Sequence, residues 1–161
     1  AAKSIFSIYL TPSLPVDAAE VAEYGTEEAA RAALVEQGVD ELFARTEETR
    51  FLEVSLRSGR QEVLYRGDLS SGAIIASVVQ RAKELAIKRA ISDRDPGAGI
   101  RAVDLREAVR REYRENEVFP PSDSVEDWLK LLDYEPENVV KVTSVHPQVE
   151  KTQEARSGKV I

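Results

Sequence analysis

The period of the hydrophobic pattern changes sharply partway along the chain, and that change limits the folds open to it. Phe51-Leu52-Glu53-Val54-Ser55-Leu56 alternates like a half-buried strand. Arg57-Ser58-Gly59-Arg60 reads as a turn, and Glu62-Val63-Leu64-Tyr65 reads as the returning strand. A hairpin standing alone is barely stable in water, so it needs another strand or a helix against it. The only other β-branched run, Val139-Val140-Lys141-Val142-Thr143-Ser144-Val145, lies far along the chain, beyond several helical stretches. The expected fold is therefore α+β, with helices gathered around a hairpin that pairs with a C-terminal strand.

The helical stretches are legible from apolar spacing. Ala1 to Leu10 carries Ile5, Phe6, Tyr9 and Leu10 on one face, and Thr11-Pro12-Ser13-Leu14-Pro15 stops it because neither proline continues the ladder. A second helix is expected from Thr26, whose hydroxyl caps it, with Glu27 and Glu28 at the positive end of the dipole. Its apolar positions are Leu34, Val35, Val39, Leu42 and Phe43, with Gly38 interrupting the interior. The strongest helix is capped by Ser70 or Ser71 and carries a stripe of Ile74, Ile75, Val78, Val79, Ala82, Leu85 and Ala86. It ends before the loop Asp95-Pro96-Gly97-Ala98-Gly99. The next helix runs from about Asp104, with Leu105, Ala108, Val109 and Tyr113 inward. Pro120-Pro121 breaks the chain, a short helix from Ser124 carries Trp128, Leu131 and Leu132, and a polar, mobile tail is expected from Pro147.

Composition closes off several classes of function. Hydrophobic residues at 42% and charged residues at 32% fit a soluble globular protein rather than a disordered one. A net charge of -7 argues against nucleic acid as a partner, since such binders carry a basic face. No apolar run reaches bilayer-spanning length, so no membrane partner is expected and a cytoplasmic setting is the default. Cysteine is absent, which removes disulfides and thiolate metal sites. Methionine is absent too, and the helical pattern begins at the first residue, so a piece of a longer protein is expected.

Candidate chemistry is thin. His146 is the only histidine, and a metal site needs several convergent ligands, so no metal site is expected. Glu27-Glu28 and Glu47-Glu48 read as solvated helix ends rather than acid/base pairs. Arg110, Arg111 and Arg114 alternate with Glu107, Glu112 and Glu115, the pattern of an ion-pair-laced surface rather than an anion patch. Trp128 and Tyr134 read as a satellite core before a partner-binding patch. No phosphate-binding loop occurs, because Ser157-Gly158-Lys159 lacks both the preceding loop and the following residue. No catalytic residue is expected.

One segment carries a resemblance. Ser71-Gly72-Ala73-Ile74-Ile75, continuing through Gln80-Arg81-Ala82-Lys83 to Leu85-Ala86-Ile87-Lys88, resembles the helix of the AAA ATPase small domain that faces the nucleotide. Glycine and alanine at a helix start let backbone approach adenine and ribose closely. Ser-Gly-Ala also caps ordinary helices, so the flanks matter. Ile5-Phe6 with Tyr9-Leu10 before a Leu-Pro turn resembles the helix entering that small domain. Arg50-Phe51-Leu52-Glu53-Val54 with Glu62-Val63-Leu64-Tyr65 resembles the hairpin of the mycobacterial proteasome-associated ATPase family, AAA ATPases that form ring-shaped complexes. Glu115-Asn116-Glu117, a proline step and Asp127-Trp128 complete the order, so the similarity runs from about Ala1 to Val145.

The resemblance implies a division into residues 1–50 as the first part of a helical lid and 51–66 as the inserted hairpin. Residues 67–119 would be the second part of the lid, 120–146 a short helix and strand completing a β-grasp-like sheet, and 147–161 a flexible tail. It implies a homo-hexameric unfoldase whose neighbouring subunits, a proteasome core and Pup-tagged proteins are partners. ATP would be bound mainly by a large domain absent from this sequence, with Mg in the full-length protein. Ser71, Gly72 and Ala73 would touch and sense the nucleotide. The phosphate-binding loop, the magnesium-binding acidic pair and the arginine finger are missing, so this stretch alone is expected not to hydrolyse ATP. Proteasome-partnered members end in Gln-Tyr-Leu, whereas this sequence ends Lys159-Val160-Ile161. Either it stops short of the native end or it does not dock by that route. A stand-alone ubiquitin-like interaction module, capturing partners on the hairpin edge, is the alternative. A helix-turn-helix regulator is disfavoured by the mixed charge of its would-be recognition helix.

Overall fold

The computed structural model describes residues 1–115 and 136–145. The helix expected from Ser124, the pair Trp128 and Tyr134, His146 and the stretch from Pro147 lie outside the described residues. In chain order the elements are α1 (Ala2–Tyr9), α2 (Ala18–Tyr24), α3 (Glu27–Phe43), β1 (Arg50–Leu56), β2 (Gln61–Tyr65), α4 (Gly72–Asp93), α5 (Ala102–Glu115) and β3 (Val139–Ser144). Short 3-10 turns at Glu47–Thr49, Arg66–Leu69 and Pro136–Asn138 precede β1, α4 and β3.

The sheet has the order β2-β1-β3, antiparallel throughout, so the hairpin finds its third strand in the distant β-branched run. β1 is central, and its inward residues Leu52 and Val54 are fully buried. Strand side chains alternate faces, yet Val139 and Val142, three positions apart, are both buried. A register shift opposite Ser55 and Leu56 resolves the conflict. Leu56 pairs with Val139 and Ser55 with Lys141, so Val140 is the extra residue of a bulge and points to solvent.

Helices and sheet share one core. Phe6, Leu34, Leu42, Ile75, Val78 and Leu105 belong to the same buried cluster as Phe51, Leu52, Val54 and Val142. Phe51 meets Tyr113 of α5 edge-on, with ring centroids 5.7 Å apart. Gly38, which interrupts α3, sits under Phe6: a Cβ there would lie 3.2 Å from the ring. Glycine inside a helix costs about 1 kcal/mol against alanine, whereas burying a phenylalanine contributes roughly 2–3 kcal/mol, so packing prevails over propensity.

α2 lies where the apolar spacing marks no helix, because none of its seven residues is fully buried and no apolar stripe forms. Its signals are terminal: Asp17 caps it, and Gly25 ends it at φ +88°. Tyr9 and Phe43 carry helical spacing but are exposed, whereas their neighbours Leu10 and Leu42 take the buried positions at the ends of α1 and α3. α5 begins at Ala102 rather than near Asp104, whose carboxylate caps backward to the Arg101 N–H at 2.8 Å. Thr26 and Ser71 are the caps of α3 and α4.

The loop after α4 packs against the segment before α2. Val16 bridges Ile100 in parallel, the Ile100 N–H donates to Pro15 O at 2.9 Å, and the Ala18 N–H donates to Gly97 O at 3.1 Å. A Cβ on Gly99 would lie 2.6 Å from main-chain atoms of Pro15, Val16 and Asp17, which cannot swing aside. Gly99→Ala is therefore expected to destabilise the fold by about 3 kcal/mol. Urea denaturation of the two forms checks this, and a loss within error of zero would refute the contact.

Candidate functional site

The sequence-marked residues lie at the start of α4. Ser71 is its N-cap, with Oγ accepting the Ile74 N–H at 3.3 Å and its carbonyl accepting the Ile75 N–H at 3.0 Å. Gly72 and Ala73 begin the first turn, where N–H groups have no acceptor within the helix and the dipole is positive. Ser71 and Ala73 are exposed and Gly72 is half-exposed. A Cβ built on Gly72 meets nothing within 4 Å, so the backbone here presents an open approach. The three residues are thus contiguous, accessible and aimed outward at a donor-rich helix end.

The chain reaches this end through a fixed turn. Arg66, buried just before α4, donates from Nη2 to the Glu41 carbonyl at 2.6 Å and to Glu41 Oε1 at 2.8 Å. Arg110 of α5 also pairs with Glu41 Oε1 at 3.2 Å. Along the flank of α4, Glu112 accepts from Ser77 Oγ and Arg81 Nε, both at 2.7 Å, and Arg81 Nη1 reaches Glu115 at 3.0 Å. Burial works against the charge of Arg81, but hydrogen bonds to Glu115 and Glu112 outweigh it and hold its pKa above the usual arginine value. Arg111 and Arg114 both pair with Glu107. The hydrogen bond from Arg111 holds the Glu107 carboxyl below the usual carboxylate range. The expected ion-pair-laced surface is present, and α5 carries no free cationic stripe.

At the far end of α4 lies a second polar cluster that local spacing did not reveal. Arg89 hydrogen-bonds both oxygens of Asp104 and donates to Gly99 O at 2.7 Å. The Asp104 hydrogen bond is the main reason its pKa rises further. Beside it, Asp17 accepts the Ala19 N–H at 2.9 Å and pairs with Arg101 Nε at 2.9 Å. Glu20 Oε1 accepts the Ala102 N–H at 2.9 Å, so an α2 carboxylate caps α5. Glu27 and Glu28 sit exposed in the first turn of α3, and Glu47 and Glu48 are exposed in the turn before β1, as solvated ends. Among the described residues no three His, Cys, Asp or Glu side chains converge as metal ligands, and no helix is long and apolar enough to cross a membrane.

The chain thus combines a helical body with an exposed Ser-Gly-Ala helix start and a hairpin spliced in front of it. Residues 1–161 match the family described as the ARC, AAA+ ATPase lid domain. The chain belongs to this lid-domain family. The proteasome-associated ATPase of Acidimicrobium ferrooxidans is 41% identical over 142 residues, 87% of this chain and 24% of that protein. That of Saccharomonospora viridis is 39% identical over 161 residues, 99% of this chain and 26% of that protein. The lid domain spans about a quarter of the length of these curated relatives.

The clasp around Asp17 makes the stability of the lid domain depend on acid. Burial penalises the Asp17 charge, but the Ala19 amide, the Arg101 guanidinium and the Gly99 amide outweigh it and hold the carboxyl below its ordinary value. A carboxyl with a lowered folded-state pKa contributes stability that is complete above the unfolded value, near 3.8, and is lost as pH falls through the folded value. Asp17→Asn is expected to cost about 1–3 kcal/mol at pH 7 and to flatten the acid limb of the stability curve below about pH 4. Urea melts across pH 2–7 read this out. An unchanged acid limb would remove Asp17 from the account.

Proposed function

We propose that this chain is the nucleotide-sensing lid of a ring-forming AAA+ unfoldase that serves the bacterial proteasome. The observation that carries the proposal is the exposed Ser71-Gly72-Ala73 start of α4, in a chain whose relatives are proteasome-associated ATPases. The open space at Gly72 fits a flat, anionic ligand: backbone N–H groups and the helix dipole favour negative charge, and the missing side chain leaves room for a sugar or base. ATP, with Mg, would supply the phosphoryl chemistry and would be held mainly by parts of the full-length protein beyond this chain. Here Ser71 fixes the helix end, while Gly72 and Ala73 present backbone to the ligand.

In this reading the helices of residues 1–50 and 67–119 form the lid and residues 51–66 the inserted hairpin, with the sheet a β-grasp-like element. A homo-hexameric ring, a cytoplasmic setting and Pup-tagged proteins as substrates follow from the same family likeness. Nucleotide arrival would bias how the lid packs against the rest of its ring, the kind of rigid-body shift by which packed helices convert ligand state into motion. The alternative of a stand-alone ubiquitin-like module draws less support, because Phe51, Leu52 and Val54 share their core with the helices rather than closing a core of their own.

The test uses the open space at Gly72. Gly72→Val in the full-length protein is expected to leave the melting temperature of the nucleotide-free protein within about 2 °C, because the side chain projects into space that is empty in the lid. It is expected to weaken ATP binding by about tenfold or more through steric exclusion, worth about 1.4 kcal/mol. Calorimetric titration with a slowly hydrolysed ATP analogue measures the second effect. Unchanged affinity would remove the start of α4 from the nucleotide site.

A further inference from the structure

The link between the hairpin and α4 is short, and each of its residues is tied down. β2 ends at Tyr65, the Arg66–Leu69 turn follows at once, and Ser70 alone separates that turn from Ser71, the cap of α4. Arg66 holds the turn to the end of α3 through both the carbonyl and the carboxylate of Glu41. Gly67 lies so close beneath α3 that a Cβ would stand 2.7 Å from the Phe43 ring and 2.8 Å from Leu42 O. Asp68 accepts the Tyr65 N–H at 2.9 Å and pairs with Arg45, whose guanidinium lies 5.2 Å from the centre of the Tyr65 ring. Leu69 packs on the core, and the Ser70 N–H closes back on Gly67 O at 3.1 Å.

A hinge needs a few residues free to change φ and ψ. This segment offers none whose backbone or side chain is not already committed. A small displacement at Ser71–Ala73 therefore has no soft joint in which to dissipate before it reaches β2, and β2 hands it to β1 through their ladder. We infer that Arg66 is a positioning residue that locks the three-stranded sheet and the start of α4 into one body, so that nucleotide arriving at Ser71–Ala73 is felt in the hairpin. The inference rests on the nucleotide reading proposed above. Because such coupling is reciprocal, a protein partner seated on the sheet would shift nucleotide affinity by the same factor. The hairpin then acts as the lid's outward reporter of nucleotide state, not as a passive insertion.

Hydrogen exchange of the full-length protein, with and without a slowly hydrolysed ATP analogue, tests this. In the unaltered protein the analogue is expected to change exchange at amides 72–75 and also across 51–56 and 61–65, by about fivefold or more. Arg66→Gln, too short to reach Glu41, should keep the first change and lose the second. Arg66→Lys should restore it, because a single nitrogen of Arg66 makes both contacts. Two glycines inserted after Ser70 provide an independent decoupling variant should Arg66→Gln fold poorly. A change at 72–75 with none in the hairpin of the unaltered protein overturns the coupling and leaves the nucleotide reading standing. Hairpin coupling that survives both the Arg66→Gln substitution and the insertion overturns the role of the clamp. No change at 72–75 removes the nucleotide reading itself, and the inference with it.

Discussion

A buried guanidinium must find acceptors for its donors, because leaving charge unpaired away from water costs several kcal/mol. The lid meets that demand through the terminal nitrogens of two arginines, one before α4 and one near its end, while Nε of each is left without a hydrogen-bond partner. Before α4, Arg66 joins a carboxylate and a main-chain carbonyl, both from Glu41. Near the end of α4, Arg89 joins the Asp104 carboxylate and the Gly99 carbonyl. Each arginine thus ties a point where the chain leaves one element to the element it must pack against. Gly99, the entry to α5 and the exit from α3 are each held in part by these two groups.

Apolar burial alone would not give that definition. The stripe of α4 and the inward faces of α3 and α5 supply most of the favourable energy, but burial of this kind is non-directional. The paired arginines supply direction. The clasp of Asp17 with Arg101, and the capping of α5 by Glu20 of α2, extend the same logic to a helix with no buried side chain of its own. α2 is fixed chiefly by polar contacts, with half-buried Val21 as its apolar contact with the core, so it leaves little trace in the periodicity.

How much could be read in advance follows from range. The hairpin, its third strand, the stripe of α4 and the caps Thr26 and Ser71 were legible because each depends on residues within a turn or two, or on a single β-branched run. The Ser71-Gly72-Ala73 start was legible as a motif, and its accessibility is now plain. Exposure of Tyr9 and Phe43 was not legible, since helical spacing does not say which of two adjacent apolar residues, Tyr9 or Leu10, Leu42 or Phe43, turns inward. The pairings of Arg66 with Glu41, Arg89 with Asp104 and Arg101 with Asp17 were hidden for the same reason. Charged residues are abundant in this sequence, and nothing local separates the few that are buried from the many that are solvated.

The bulge in β3 has a consequence beyond seating Val139 and Val142. An outer strand is a standing invitation for another chain to pair with it. The extra residue at Val140 breaks the regular spacing of donors and acceptors along that edge, and exposed Lys141 beside it sets a charge where an incoming strand would have to lie. A device that fits two valines into the core thereby also makes that edge a poor template for an added strand.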